Sequence, residues 1–115
     1  FSFRIQGNHN CDSKNVVYLL ECTMCHAQYI GQTETALRMR INNHRSHVKV
    51  VPQLPLSKHV TTLGHPFEKF VVTVLQSGFR THHDREIREC YLIHKFNTLA
   101  NGINECAGKL SFLSV

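Results

Sequence analysis

The feature that most constrains this 115-residue chain is a change of hydrophobic period just after Gly31. Before it, residues 16–20 (Val-Val-Tyr-Leu-Leu) and 27–31 (Ala-Gln-Tyr-Ile-Gly) are short runs rich in β-branched and aromatic side chains. Such side chains suit a pleated, half-buried surface, so both runs read as strands. Residues 21–26 between them are few enough for a hairpin connection. From Thr35 the spacing turns helical: Leu37, Ile41, His44 and Val48 form one stripe, which Pro52 ends by lacking an N–H and crowding the preceding turn.

The remaining elements follow from local chemistry. Pro55 suits a first helical turn and opens a short helix through Leu56, Val60 and Leu63, with Gly64 and Pro66 as stops. Residues 67–75 (Phe-Glu-Lys-Phe-Val-Val-Thr-Val-Leu) form the strongest strand pattern in the chain. Thr81-x-x-Asp84 resembles a capping box and begins a helix reaching about Phe96. The order β-β-α-α-β-α predicts an α+β domain with a small, mostly antiparallel three-stranded sheet flanked by helices. Residues 1–14 read as irregular, 15–105 as the folded domain and 106–115 as a tail. With Phe at position 1, the chain reads as a piece of a longer polypeptide.

The length suits one domain, and 42% apolar residues are enough to fill its core. No run of eighteen apolar residues occurs, so no membrane-spanning helix is expected. A formal charge of +5, with nine further histidines, favours an anionic partner, most often nucleic acid. Five cysteines cannot all pair in disulfides. Cys22-x2-Cys25 and His59-x5-His65 instead supply the two thiols and two imidazoles of a closed tetrahedral zinc site. Such a site would staple the hairpin connection to the second helix, useful where the core is small. His9, His26, His47 and Cys11 are alternative ligands, Cys90 reads as a small buried side chain, and Cys106 is unassigned. A metal-bound thiol set points to a reducing, intracellular setting.

Glu89 stands out by pattern alone. It shares the stripe of Leu92, Ile93 and Phe96, and a carboxylate on an apolar face needs a partner or a cation. Arg40 and His44 lie four apart on one helix face, with Arg38 a competitor for any role given to Arg40.

These elements taken in order, Val16-Val17-Tyr18, Tyr29-Ile30-Gly31, Arg40, His44, Glu89 and Asn104, resemble the GIY-YIG nuclease pattern, with Val16 where the name motif has glycine. In texture the chain is similar to the endonuclease domain of Penelope-like retroelements, over roughly residues 15–105. The resemblance implies a DNA endonuclease leaving 3′-hydroxyl and 5′-phosphate ends by strand nicking. It implies that Tyr18 or Tyr29, helped by His44, positions or deprotonates water, that Gly31 lets the chain pass close to the site, and that Arg40 stabilises the scissile phosphate. It gives Glu89 a single Mg2+ (or Mn2+), Asn104 a structural or orienting role, and Cys22, Cys25, His59 and His65 a structural Zn2+. Glu86 is the neighbour most easily confused with Glu89. The implied partners are DNA, contacted through its backbone, and a fused reverse transcriptase; the implied setting is a nucleus and target-primed reverse transcription. The competing readings are a zinc-stabilised module that binds nucleic acid without cutting it, and an interaction domain with an exposed apolar patch.

Overall fold

The structure, a computed structural model, describes residues 2–4 and 9–105. Its strands are β1 (Ser2–Arg4), β2 (Val16–Cys22), β3 (Gln28–Thr33) and β4 (Phe70–Gln76). Its helices are α1 (Leu37–Val50), α2 (Pro55–Leu63), α3 (His82–Phe96) and the short α4 (Thr98–Asn101). One sheet runs in the order β1-β4-β2-β3. β2 is antiparallel to both β3 and β4, forming the expected three-stranded antiparallel unit. β1 adds a parallel edge to β4, so the first fourteen residues are not wholly irregular. Three residues are too few to display a period, and only a neighbouring strand gives them a partner.

β2 is the centre of the molecule, covered on both faces, and therefore reads as a continuous apolar run rather than an alternating one. Val16, Tyr18, Leu20 and Cys22 point into the larger core with Leu37, Ile41, Leu56, Phe67, Phe70 and Val72. Val17 and Leu19 point the other way, against Ile30, Leu92 and Ile93. The sheet thus lies between α1 and α2 on one side and α3 on the other.

Each helix boundary has a local cause. The N-terminal loop that carries no sequence period closes α1: Leu37 N–H donates to Ser13 O and Arg38 N–H to Cys11 O, satisfying two otherwise orphan donors. Gly64, at φ +66°, gives α2 its left-handed stop. Thr81 caps α3 by accepting from the Asp84 N–H at 3.0 Å, as its spacing predicts. The strand expected over residues 67–75 begins later, because Pro66 launches a 3-10 turn at Phe67–Lys69. α2 turns Leu56, Ser57 and His59 inward and leaves Leu63 exposed; likewise Phe96 on α3 is half-exposed rather than core. Among the described residues no helix is long and apolar enough to cross a membrane.

Candidate active site

A cleft of about 570 Å3 opens along the edge strand β3. Its walls take Tyr29, Gln32 and Thr33 from β3, Arg40 and Asn43 from α1, His82, Arg85 and Glu89 from α3, and Asn104 from the segment after α4. Three elements distant in sequence therefore bring Tyr29, Arg40 and Glu89 to one space.

Tyr18 does not line this cleft. It is fully buried behind it, with its Oη 2.6 Å from His44 Nε2. Both Tyr18 and Tyr29 meet the His44 ring edge-on, at centroid distances of 6.0 and 5.6 Å. Burial lowers His44 to about 3, assisted by the charges of Arg40 and His47, so the imidazole is neutral at physiological pH. Burial also pushes the Tyr18 phenol well above its ordinary range, with Tyr29 adding to the shift and Arg40 opposing it. The pair is therefore an uncharged hydrogen bond in the core, and Tyr29 is the tyrosine that faces the cleft.

Gly31 sits opposite Tyr18 in the β2–β3 register. A Cβ at Gly31 would come within 2.5 Å of Tyr18 Oη, so the absent side chain is what admits the hydroxyl to His44. Asn104 acts on the same strand from its outer side. Its Oδ1 accepts from the Ile30 N–H at 2.8 Å, and its Nδ2 donates to Ile30 O at 3.0 Å. Ile103 N–H also donates to Gln28 O. The segment after α4 thus imitates a neighbouring strand on the edge of β3.

Glu89 is 8% exposed, and its Oε1 accepts from Gln32 Nε2 at 3.1 Å. Gln32 Oε1 accepts in turn from Arg85 Nε at 2.7 Å. Glu86 instead pairs with His82 Nε2, away from Glu89. Arg38 is solvent-exposed and paired with Asp12 at 2.9 Å, whereas Arg40 is in the cleft wall.

At the end of β2, the donor atoms of Cys22, Cys25, His59 and His65 lie within 4.8 Å of one another. Cys22 is the last residue of β2, Cys25 lies in the hairpin turn, His59 faces inward from α2, and His65 follows its glycine stop. Cys22 Sγ is 3.5 Å from His65 Nδ1, Cys25 Sγ is 3.5 Å from His59 Nε2, and the two imidazole nitrogens are 3.3 Å apart. A tetrahedral zinc, with bonds of about 2.3 Å to sulfur and about 2.0 Å to nitrogen, sets its ligand atoms about 3.3–3.8 Å apart. The four residues can therefore hold such an ion. The alternatives do not compete: His26 pairs with Glu21, His9 with Ser77, and His47 and Cys11 lie outside the group.

No family model and no curated protein matches the chain. Among solved structures, it superposes on the catalytic domain of intron endonuclease I-TevI carrying a glutamate-to-alanine mutation, with a TM-score of 0.72, 16% identity, and coverage of 84% of this chain and 98% of that one. It also superposes on a second structure, that of the catalytic domain of homing endonuclease I-TevI, with a TM-score of 0.68, 18% identity, and coverage of 81% of this chain and 99% of that one.

The chain has the fold of the I-TevI catalytic domain. At this identity the likeness is one of fold, and nearly the whole I-TevI domain is represented. Within that I-TevI-like fold, Gln32 and Arg85 are two cleft residues that no sequence pattern singled out. Arg85 carried a signal: it lies one turn before Glu89 on the same inward face of α3, a second charge where apolar residues are expected. Gln32 carried only its place after Tyr29-Ile30-Gly31, because a polar residue at a strand end is otherwise ordinary.

Proposed function

We propose that the chain is a metal-dependent DNA endonuclease of the GIY-YIG type. The observation that carries this is the convergence of Tyr29, Arg40 and Glu89 on one cleft, backed by the neutral Tyr18–His44 pair, in a chain with the fold of an endonuclease catalytic domain. Hydrolysis of a phosphodiester needs an oriented water, stabilisation of added negative charge on phosphorus, and help for the departing oxygen. Arg40 supplies a permanent cation that forks onto phosphate oxygens. Tyr29 holds the attacking water at the cleft wall, its ring steadied edge-on by the neutral His44 imidazole, which Tyr18 holds from behind. Attack forms a bond from water to phosphorus and breaks the bond to the 3′ oxygen; the water gives up a proton to solvent in the cleft and the departing oxygen takes one up, leaving a 3′-hydroxyl and a 5′-phosphate.

Glu89 fits a hard cation. It is a carboxylate in a cleft lined by further oxygen donors, with space for the water that magnesium keeps when one protein group binds it. Bound there, Mg2+ (or Mn2+) would neutralise developing charge on phosphate oxygens. Cys22, Cys25, His59 and His65 would hold Zn2+ as a structural staple.

The motif texture of Tyr-Ile-Gly-Gln-Thr at 29–33 and Arg-Ile-Asn-Asn-His at 40–44 supports the narrower reading. In it, residues 15–105 are the nuclease domain of a Penelope-like retroelement protein, fused to a reverse transcriptase. It nicks nuclear DNA with little sequence preference and leaves a hydroxyl that primes copying. The test is supercoiled plasmid with magnesium, given to the wild type and to Glu89→Ala of equal zinc content. Open circles from the wild type alone are expected. Retardation of intact plasmid by both would instead make the domain a DNA-binding module.

A further inference from the structure

The cleft contains a second cation besides Arg40, and this one is buried. Arg85 is 3% exposed and lines the α3 wall, facing the space that Arg40 borders from α1. A guanidinium so removed from water needs hydrogen bonds and a compensating charge. None of its hydrogen bonds goes to a carboxylate: Nε donates to Gln32 Oε1 at 2.7 Å, Nη1 to Asn15 Oδ1 at 2.6 Å, and Nη2 meets His82 Nδ1. Glu86 reaches it only through the His82 ring. Its own ion pair, with Glu34, is long at 3.9 Å, and the Glu34 side chain is 72% exposed. Arg85 is thus a buried, rigidly oriented positive charge whose counter-ion is loose and replaceable.

We infer that Arg85 is the seat of a second phosphate position in the cleft, separate from Arg40, which takes a phosphodiester flanking the one that is cut. The inference rests on the nuclease reading in taking DNA as the ligand. Asn15, Gln32 and His82 fix the guanidinium plane, so its fork is presented without ordering cost when a phosphate arrives. Glu34 occupies the position in the free protein and moves into solvent when phosphate displaces it. Gln32 bonds both Arg85 and Glu89, so the group that steadies the flanking phosphate also orients the carboxylate.

The experiment measures affinity for a short duplex DNA against salt concentration, in buffer without magnesium so that nothing is cut. Zinc content and circular dichroism establish that each variant is folded. Arg85→Gln should lower the slope of log affinity against log salt by about 0.9, the value for one lost phosphate contact, and Arg85→Lys should retain the slope. An unchanged slope in folded Arg85→Gln overturns the inference. Glu34→Gln, on an exposed side chain and independent of how Arg85→Gln folds, should tighten binding about two- to fivefold by removing the competing carboxylate. Asp12→Asn, which removes an equal charge beside Arg38, should leave affinity unchanged. Equal tightening by Glu34→Gln and Asp12→Asn, or none by Glu34→Gln, also overturns it. Plasmid nicking is scored separately: a protein that nicks without these binding effects loses only the Arg85 assignment, and one that shows them without nicking loses only the nuclease reading.

Discussion

Tyr18 Oη and His44 Nε2 are 2.6 Å apart inside the core, and the space for that contact exists because residue 31 has no side chain. A strand hydroxyl, a helix imidazole and a missing Cβ form one packing unit directly behind the cleft. Tyr29 and Arg40 stand in front of it.

Gly31→Ala should therefore act through Tyr18. Its added methyl cannot coexist with the hydroxyl, and overpacking of a filled core costs about 1–3 kcal/mol. Tyr18→Phe should cost about 1–3 kcal/mol for a different reason, the loss of a buried partner for the His44 nitrogen. Urea unfolding measures both, and plasmid nicking should fall in each. A Gly31→Ala protein of unaltered stability would show that the strands part easily here.

His44 predicts a pH dependence of stability. Its folded value, about 3, lies below the 6.5 of an unperturbed imidazole, so the unfolded chain takes up its proton first as pH falls. The contribution is complete above pH 6.5 and is lost progressively towards the folded value, at about 1.4 kcal/mol per pH unit. His44→Gln should flatten the unfolding free energy between about pH 6 and pH 4 by that slope. The comparison is made at equal zinc content, since acid also competes with metal for Cys22, Cys25, His59 and His65. Parallel curves for the two proteins would refute the burial argument.

Zinc removal should loosen α2 from the hairpin. One zinc per chain is expected by atomic absorption. Chelation, or Cys22→Ser, should lower stability by about 2 kcal/mol or more, roughly 10 °C in Tm for a domain of this size. A metal-free protein melting at the same temperature would leave the tetrahedral cluster without a structural role.

The two arginines of α1 should differ sharply. Arg40→Ala should reduce nicking on the order of 100- to 1000-fold, the usual effect of removing one group that stabilises a developing charge. Arg38→Ala should leave nicking intact and lose only the exposed pair with Asp12, worth under about 1 kcal/mol. Similar losses from both substitutions would mean that DNA reaches the N-terminal end of α1.

The sequence alone was sufficient wherever a short-range rule operates. The period change after Gly31 specified a hairpin followed by a helix, and Thr81 with Asp84 marked the start of α3. The stripe through Leu92 and Ile93 singled out Glu89 as a carboxylate on an inward face. The Cys22–Cys25 and His59–His65 spacings singled out four side chains that the fold brings together and that can hold a metal ion. The rest depends on contacts between residues far apart in sequence. β1 is visible as a strand because β4 lies beside it, and Asn104 serves the main chain of Ile30 across 74 positions. Tyr18 and Tyr29 are equivalent in the sequence pattern, yet the sheet buries one and turns the other to the cleft. Arg38 and Arg40 differ in sequence only by the four-residue step from Arg40 to His44, yet the fold pairs one with Asp12 in solvent and sets the other in the cleft wall; the charge of Arg85 acquires meaning only through Gln32, Asn15 and His82. Local propensity and period record which face a residue takes on its own element; a shared cleft arises from how three elements pack, and no window of sequence contains that.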